Sequence, residues 1–146
     1  MRGYLRRATE GDVNMLFIWA NDEMVRQNSF SKEPILWSEH EKWFREVLKN
    51  PDIAQYIYVC GGEEIGQARV IIGEGGVGEI NYSICCHMRG MGHGNELLGL
   101  LSDQVKVDFP KVKKLTGKVL VQNISSQKAF VKAKYRETYC VFERNL

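Results

Sequence analysis

The chain has 146 residues, of which 44% are hydrophobic and 26% charged, and a formal net charge of +2. That is one domain's worth of chain, 1–146, with enough length for one core. No apolar run approaches the roughly 18 residues of a membrane span, and the N-terminus MRGYLRRATEGD has no apolar signal region. The four cysteines lack the spacing of a disulfide framework, and no Cys/His cluster suggests a metal, so a cytoplasmic protein with reduced thiols is expected. Residues 1–105 hold 10 Lys/Arg against 15 Asp/Glu, and residues 106–146 hold 10 against 3. The C-terminal lysines are not interleaved with aromatics or arginine clusters, so they read as a solvated surface and no nucleic acid is expected. The acidic N-terminal portion mildly favours a cationic partner such as an amine.

In chain order, Tyr4 to Ala8 reads as a short strand. Thr9 and Asp12 have capping-box spacing, and Val13, Leu16, Phe17 and Ala20 at i, i+3, i+4, i+7 predict an amphipathic helix. A loop with Asn28-Ser29 and Pro34 follows. Ser38 and Glu41 have the spacing of a second capping box, for a helix with Trp43, Phe44, Val47 and Leu48 on its apolar face that Asn50-Pro51 stops. Ala54 to Cys60, Glu64 to Ile72 and Gly78 to Cys86 are strands, joined by turns at Gly61-Gly62 and at Gly73 to Gly76. Adjacent Cys85 and Cys86 would point to opposite faces of the last of these. A helix at Asn95 to Val107, a strand at Lys114 to Val121, a helix at Ser125 to Lys134 and a closing strand at Thr138 to Glu143 complete the chain. A three-strand meander followed by a strand–helix–strand crossover implies an α/β (α+β) fold with a mixed, mostly antiparallel sheet and helices on both faces.

The stretch RGMGHG, Arg89 to Gly94, lies between a strand and a helix. Its glycines permit a tight turn and close backbone approach, and the N–H groups opening the helix favour an anion. The P-loop needs Lys and then Ser or Thr after the last glycine, but Asn95 and Glu96 follow here. The dinucleotide fingerprint needs G-x-G-x-x-G early in the chain, whereas this loop is G-x-G-x-G and late.

R-x-x-G-x-G resembles the acetyl-CoA pyrophosphate loop of the GNAT family of N-acetyltransferases. Asn123-Ile-Ser-Ser126-Gln-Lys-Ala-Phe130 resembles that family's N-x-x-S-x-x-x-[YF] segment, in the expected order. The resemblance covers essentially the whole chain and implies acetyl-CoA as co-substrate. It further implies that Tyr82, Ser83 and Ile84 offer backbone groups to the pantetheine and that Arg89, Gly90, Met91, Gly92, His93, Gly94 and Asn95 cradle the pyrophosphate. Asn123 would hold the pantetheine, and Lys128 would lie near the adenosine end; Asn123 also suits a helix N-cap. The chain departs from the family at Cys86, where Pro is common, and at Lys134-Tyr135, where Gly-Phe is usual. It also departs at Phe130, where many members have a proton-donating Tyr, and at Lys118, where ribosomal peptide acetyltransferases have a Glu. The segment Phe30 to Leu48, with Glu39-His40-x-x-Trp43-Phe44, resembles the substrate-side helix of members that acetylate nucleotide-linked amino sugars, as in flagellin sugar synthesis. Related helices occur in members acting on polyamines and aminoglycosides.

Acetyl transfer to an amine requires a neutral amine, a stabilised oxyanion and a departing thiolate. Glu79, Asn81, Ser83 and Cys85 alternate on one strand face, and Glu79 is the candidate base. His40 lies on an inward helical stripe with Trp43, as a core histidine or a substrate wall or proton relay. Tyr135, Tyr139 or solvent would protonate the thiolate, and Cys85 has no His partner in its local sequence. The expected function is acetylation of a small-molecule amine, by a monomer or homodimer. Alternatives are a peptide acetyltransferase, against which Lys118 and Phe130 weigh, and a non-catalytic acetyl-CoA-binding module.

Overall fold

The computed structural model describes residues 2–146. The elements are β1 (Tyr4–Arg7), α1 (Val13–Ala20), α2 (Glu23–Gln27), α3 (Trp37–Lys49), β2 (Ile53–Cys60), β3 (Glu63–Ile72), β4 (Val77–Ile84), α4 (His93–Asp108), β5 (Lys114–Gly117) and α5 (Ile124–Lys132). The five strands form one sheet in the order β1-β2-β3-β4-β5. The first three pairings are antiparallel and β4–β5 is parallel. The β2–β3 hairpin turns at Gly61 and Gly62, with φ of 63° and 82°, the left-handed geometry that a two-residue loop demands.

Alternation along the strands divides the sheet into two unlike faces. Ala54, Tyr56, Tyr58, Ala68, Val70, Ile80 and Ile84 pack with Leu97, Leu98, Leu101 and Val105 of α4 in the main core, against which Phe130 of α5 also packs. On the opposite face Ile57 and Val59 pack with Leu16 of α1 and Phe44 of α3. That second core stops at β2: the β3 and β4 residues on this face are Gln67, Arg69, Glu79, Asn81 and Ser83, with the exposed Ile71 opposite Glu79, in the register Gln67 to Ser83, Arg69 to Asn81 and Ile71 to Glu79. A wet, polar half-face is thus left beside the helices.

Several local expectations are met. The Thr9–Asp12 capping box forms, with the Thr9 N–H donating to Asp12 Oδ2 at 2.8 Å. Arg6 adds a two-pronged contact to the same carboxylate, at 2.8 Å for each nitrogen. Others are corrected. α3 begins at Trp37 with Leu36 as its cap, so Ser38 lies inside the helix and no second capping box forms. The five-residue helix α2, too short to show a periodic stripe, lies in the expected loop. β4 ends at Ile84: Cys85 is buried, and Cys86 lies exposed in a helical turn, so the pair does not straddle a strand. β5 stops at Gly117 rather than Val121, and no strand forms at 138–143, where Tyr139, Val141 and Phe142 are exposed. Lys134, at φ 71°, turns the chain after α5, and a four-residue β5 offers a returning strand too few ladder bonds to order it.

Asp12 is held below the usual carboxylate range by the Arg6 hydrogen bond, with burial opposing and the Thr9 N–H adding to the effect. A depressed folded-state pKa contributes stability that is present above the unfolded value of about 3.9 and lost as pH falls through the folded value. Asp12→Asn should therefore lower the melting temperature at pH 7 and flatten its decline below about pH 4, as thermal melts across pH will show.

Candidate active site

The site begins where β4 and β5 part. Their parallel ladder runs from Val77–Lys114 to Ile80–Gly117 and goes no further, while β4 continues to Ile84. Backbone direction along β4 can be followed from its end. The Cys85 N–H donates to the Ile65 carbonyl of β3 at 2.8 Å, and the Ser83 carbonyl oxygen lies against Gly66 of β3. Alternation therefore turns the N–H and C=O of Tyr82 toward the side that β5 has vacated. An extended, amide-bearing chain could pair there as a further strand.

The glycine loop lies just beyond. Gly90 and Gly92 have φ of 77° and 84°, and Gly92 caps the 16-residue α4. The first helical bond of that turn runs from the Glu96 N–H to the Gly92 carbonyl, so the N–H groups of His93, Gly94 and Asn95 precede the intrahelical ladder. A Cβ at Gly94 would stand 3.5 Å from the Tyr82 ring and 3.6 Å from Ala129, which shows how closely α4, β4 and α5 meet here. Tyr82 Oη and Ser126 Oγ are 2.9 Å apart, and Tyr58 Oη reaches His93 Nδ1 at 3.2 Å. Asn123 is the N-cap of α5, its Oδ1 accepting from the Ser126 N–H at 3.3 Å. Met91 is exposed in the loop and Lys128 is exposed on α5.

Arg89 serves the loop differently from its expected role. Its Nε donates to the Ile84 carbonyl at 3.0 Å, and Nη2 pairs with Asp22 at 2.7 Å. Burial works against the Asp22 charge, but the Arg89 hydrogen bond and the Val25 N–H outweigh it and hold this carboxyl below its ordinary range. The Arg89 side chain ties the loop to the N-cap of α2; it does not stand free in the crevice.

The polar half-face forms a second wall. Gln55 donates to Gln67 at 2.8 Å, and the Gln67 amide donates to Asn81 at 3.1 Å and to Ser83 Oγ at 3.2 Å. Glu79 is exposed and pairs with Lys118 at 3.4 Å. The Arg69 guanidinium lies over the Trp43 ring, 4.9 Å from its centroid. Glu79, Asn81 and Trp43 are thus brought to one face. Gln55, Gln67 and Arg69 join them, although no motif marked these three in the sequence. The signal was the alternation of Gln67 and Arg69 with Gly66, Ala68 and Val70, which puts two polar side chains on one side of a central strand.

Two candidates are corrected. His40 is buried, with Nε2 2.9 Å from the Val13 carbonyl and its ring stacked on Phe44; burial lowers its pKa below the usual value. It is a satisfied core residue and not a substrate wall. Tyr135 packs edge-on against Phe130 and lines a concavity of about 310 Å³ with Ser102, Val105 and Leu115. That concavity adjoins the start of β5, whereas the glycine loop follows the end of β4, and burial pushes the Tyr135 hydroxyl up to about 12. Tyr135 is therefore not placed to protonate a leaving group in the crevice. Cys85 does have a histidine nearby, His87 Nε2 at 3.8 Å, but burial raises the thiol pKa, so it is no better suited as a nucleophile.

Residues 2–136 match the family model for the acetyltransferase (GNAT) domain. The chain belongs to the GNAT family of N-acetyltransferases, enzymes that use acetyl-CoA. Among solved structures it is similar to the aminoglycoside acetyltransferase AAC(6')-Ib in complex with coenzyme A, at 23% identity and TM-score 0.80, covering 93% of this chain and 85% of that one. It is also similar to spermidine N-acetyltransferase from Vibrio cholerae in complex with CoA and spermine, at 17% identity and TM-score 0.86, covering 99% and 87%. RimL, a ribosomal alpha-N-protein acetyltransferase, in complex with coenzyme A shares 17% identity with a TM-score of 0.78, covering 91% and 79%. A comparison with curated protein sequences gives no match.

The left-handed backbone at Gly92 is a conformation that a β-branched residue resists. Gly92→Val should weaken acetyl-CoA binding by about tenfold or more, a loss of ~1.4 kcal/mol that corresponds to a single distorted contact. Calorimetry on a variant whose circular dichroism is unchanged tests this, and unaltered affinity would remove the loop from the cofactor site.

Proposed function

We propose that this protein acetylates the primary amine of a small molecule. The observation that carries this reading is the juxtaposition of two walls. The vacant edge of β4 at Tyr82 and the glycine loop form one, and the open, polar half-face bearing Glu79 forms the other. When bound, acetyl-CoA supplies an activated acetyl thioester. The backbone edge of Tyr82 would pair with its pantetheine, and the loop N–H groups from Gly90 to Asn95 would hold its pyrophosphate. The Tyr82–Ser126 hydroxyl pair and Asn123 line the side of the crevice formed by α5.

On the acceptor side, Glu79 accepts the proton that an ammonium must lose before its nitrogen can attack. Lys118 fixes the carboxylate from the start of the loop after β5. The backbone N–H of Tyr82 points into the same opening, where negative charge develops on the carbonyl oxygen. No side chain is required to protonate the departing thiolate: an unperturbed thiol has a pKa of about 8.5, so solvent suffices. Phe130 agrees with this. Its ring tip lies end-on against Gly117, where a Cβ would come within 2.3 Å of Cζ, so the ring is a packing element between α5 and β5.

The finer reading of a nucleotide-linked amino sugar rested on Phe30 to Leu48. In the fold, Trp37, His40 and Phe44 of this segment pack with Phe17 or with one another, which accounts for their character without a ligand. The neighbours above are described as acting on aminoglycosides, spermidine and ribosomal protein. A peptide acceptor is less well supported here, because Lys118 stands where that branch has its acidic group.

Glu79→Gln keeps the shape and removes the base. Its turnover should fall by ~10²–10⁴ near pH 7, recover in part at high pH where the free amine is abundant, and leave acetyl-CoA affinity nearly unchanged. A pH–rate profile that overlays the parent would exclude Glu79 as the base. Phe130→Tyr should leave the rate within a few-fold of the parent and lower the melting temperature, because the added hydroxyl runs into Gly117; a large gain in rate would show that the site lacks a proton donor.

A further inference from the structure

Arg69 is the one arginine on the polar half-face; burial weighs against its charge, and the Glu79 carboxylate that favours it is shared with Lys118. It lies at the centre of the sheet, opposite Asn81 on β4 and Gln55 on β2. Its Nε is buried without a hydrogen-bond partner, and the guanidinium joins no ion pair among the described residues. Glu79 lies two residues from Asn81 along β4, but it is paired with Lys118. The face therefore carries two cations, Arg69 and Lys118, against one carboxylate. Leaving a partly desolvated guanidinium unpaired is costly, and its planar fork matches the two oxygens of a carboxylate or a phosphate. The Trp43 ring covers the guanidinium from one side, 4.9 Å from Cζ to the ring centroid.

We propose that Arg69 binds an oxyanion of the acceptor, so that the preferred substrate is an amine that also bears a carboxylate or phosphate group, and not a polycation. The proposal rests on the acetyltransferase reading and deepens it. The oxyanion lies against Arg69, beside the hydrogen-bonding row of Gln67, Asn81 and Ser83, and the amine is presented to Glu79 at the end of β4 nearer β5. Spermine and aminoglycosides, the ligands of structural neighbours, would place positive charge against Arg69 and be disfavoured.

The test uses the full chain saturated with CoA, so that the glycine loop is already filled. Calorimetry compares O-phosphoethanolamine and β-alanine with their uncharged-tail counterparts ethanolamine and propylamine, and with spermidine. The two anionic amines should bind about tenfold or more tightly than their counterparts, as a charge-assisted pair implies, and the stronger of the two identifies the oxyanion. Arg69→Gln should abolish that preference, Arg69→Lys should retain part of it, and CoA affinity should be unchanged in both. Arg69→Met, which keeps the stem against Trp43, repeats the test should Arg69→Gln melt early. Equal binding of anionic and neutral amines, preference for spermidine, no binding of either anionic probe, or a preference that survives Arg69→Gln would each overturn the proposal. Failure of the parent chain to bind acetyl-CoA at all would instead strike the acetyltransferase reading.

Discussion

Everything that this fold offers a ligand follows from one event, the parting of β5 from β4 after Ile80 and Gly117. A parallel pair is ordinarily buried on both sides and continuous. Here the ladder is four residues long, and the second half of β4 keeps its β3 partner while losing its β5 partner. Unpaired backbone at the centre of a sheet is expensive unless something completes it. The glycine loop, the start of α4 and the N-cap of α5 all gather at this gap. The main core, built on Leu97, Leu98 and Leu101, holds these elements rigidly around it.

The same economy explains the two faces of the sheet. Under α4 and α5 the β3 and β4 side chains are apolar or small. On the other face α1 and α3 pack on β2, α3 reaches β3 only through Trp43 over Arg69, and β3 and β4 carry Gln67, Arg69, Glu79 and Asn81. Hydrogen bonds across this row satisfy Gln55, Gln67 and Asn81 with one another, so the wall is preformed and does not need a ligand to order it. In the proposed site, a preformed polar wall beside a preformed backbone edge would place acceptor and donor without large rearrangement, which is where the entropic gain of an enzyme site originates.

Much of this was legible in the sequence, for local reasons. Glycines at 90, 92 and 94 between a strand and a helix describe the tight turn that opens α4, and the two-glycine turn at 61–62 specifies its hairpin. The inward stripe of His40, Trp43 and Phe44 correctly set the histidine toward the core; what it did not reveal is that the Val13 carbonyl, 27 residues away, satisfies Nε2. Non-local facts were hidden for the same reason. Whether Gln67 and Arg69 share a face with Glu79 depends on the register across the Gly73 to Gly76 turn. Where β5 ends depends on its neighbour. The β-branched and aromatic run in 138–143 suits a strand, yet such a run becomes a strand only beside a long enough partner edge. Helix α2 owes its place to tertiary anchors, Asp22 to Arg89 and the Gln27 carbonyl to Gln122, from opposite lips of the gap.

The two arginines at the site make the division of labour explicit. Arg89 stands in the glycine loop that we propose holds the pyrophosphate, yet Asp22 and the Ile84 carbonyl already engage its donors. Attraction for the anion at that loop is then left to backbone N–H groups and the dipole of α4, which approach phosphate oxygens closely because the glycines have no side chains in the way. Arg69 is the opposite case: the Trp43 ring covers its guanidinium from one side, and its Nε is buried without a hydrogen-bond partner. One arginine is thus ion-paired at the glycine loop, and the other stands on the polar half-face without an ion pair among the described residues. A neutral protein partner for Arg69 would have been easy to supply from Asn81 or Gln55, both directly opposite it in register, but these amides bond to Gln67 instead. The fold leaves the Arg69 Nε–H buried without a partner at a position where doing so costs stability, a cost that an oxyanion bound there, as we propose, would offset.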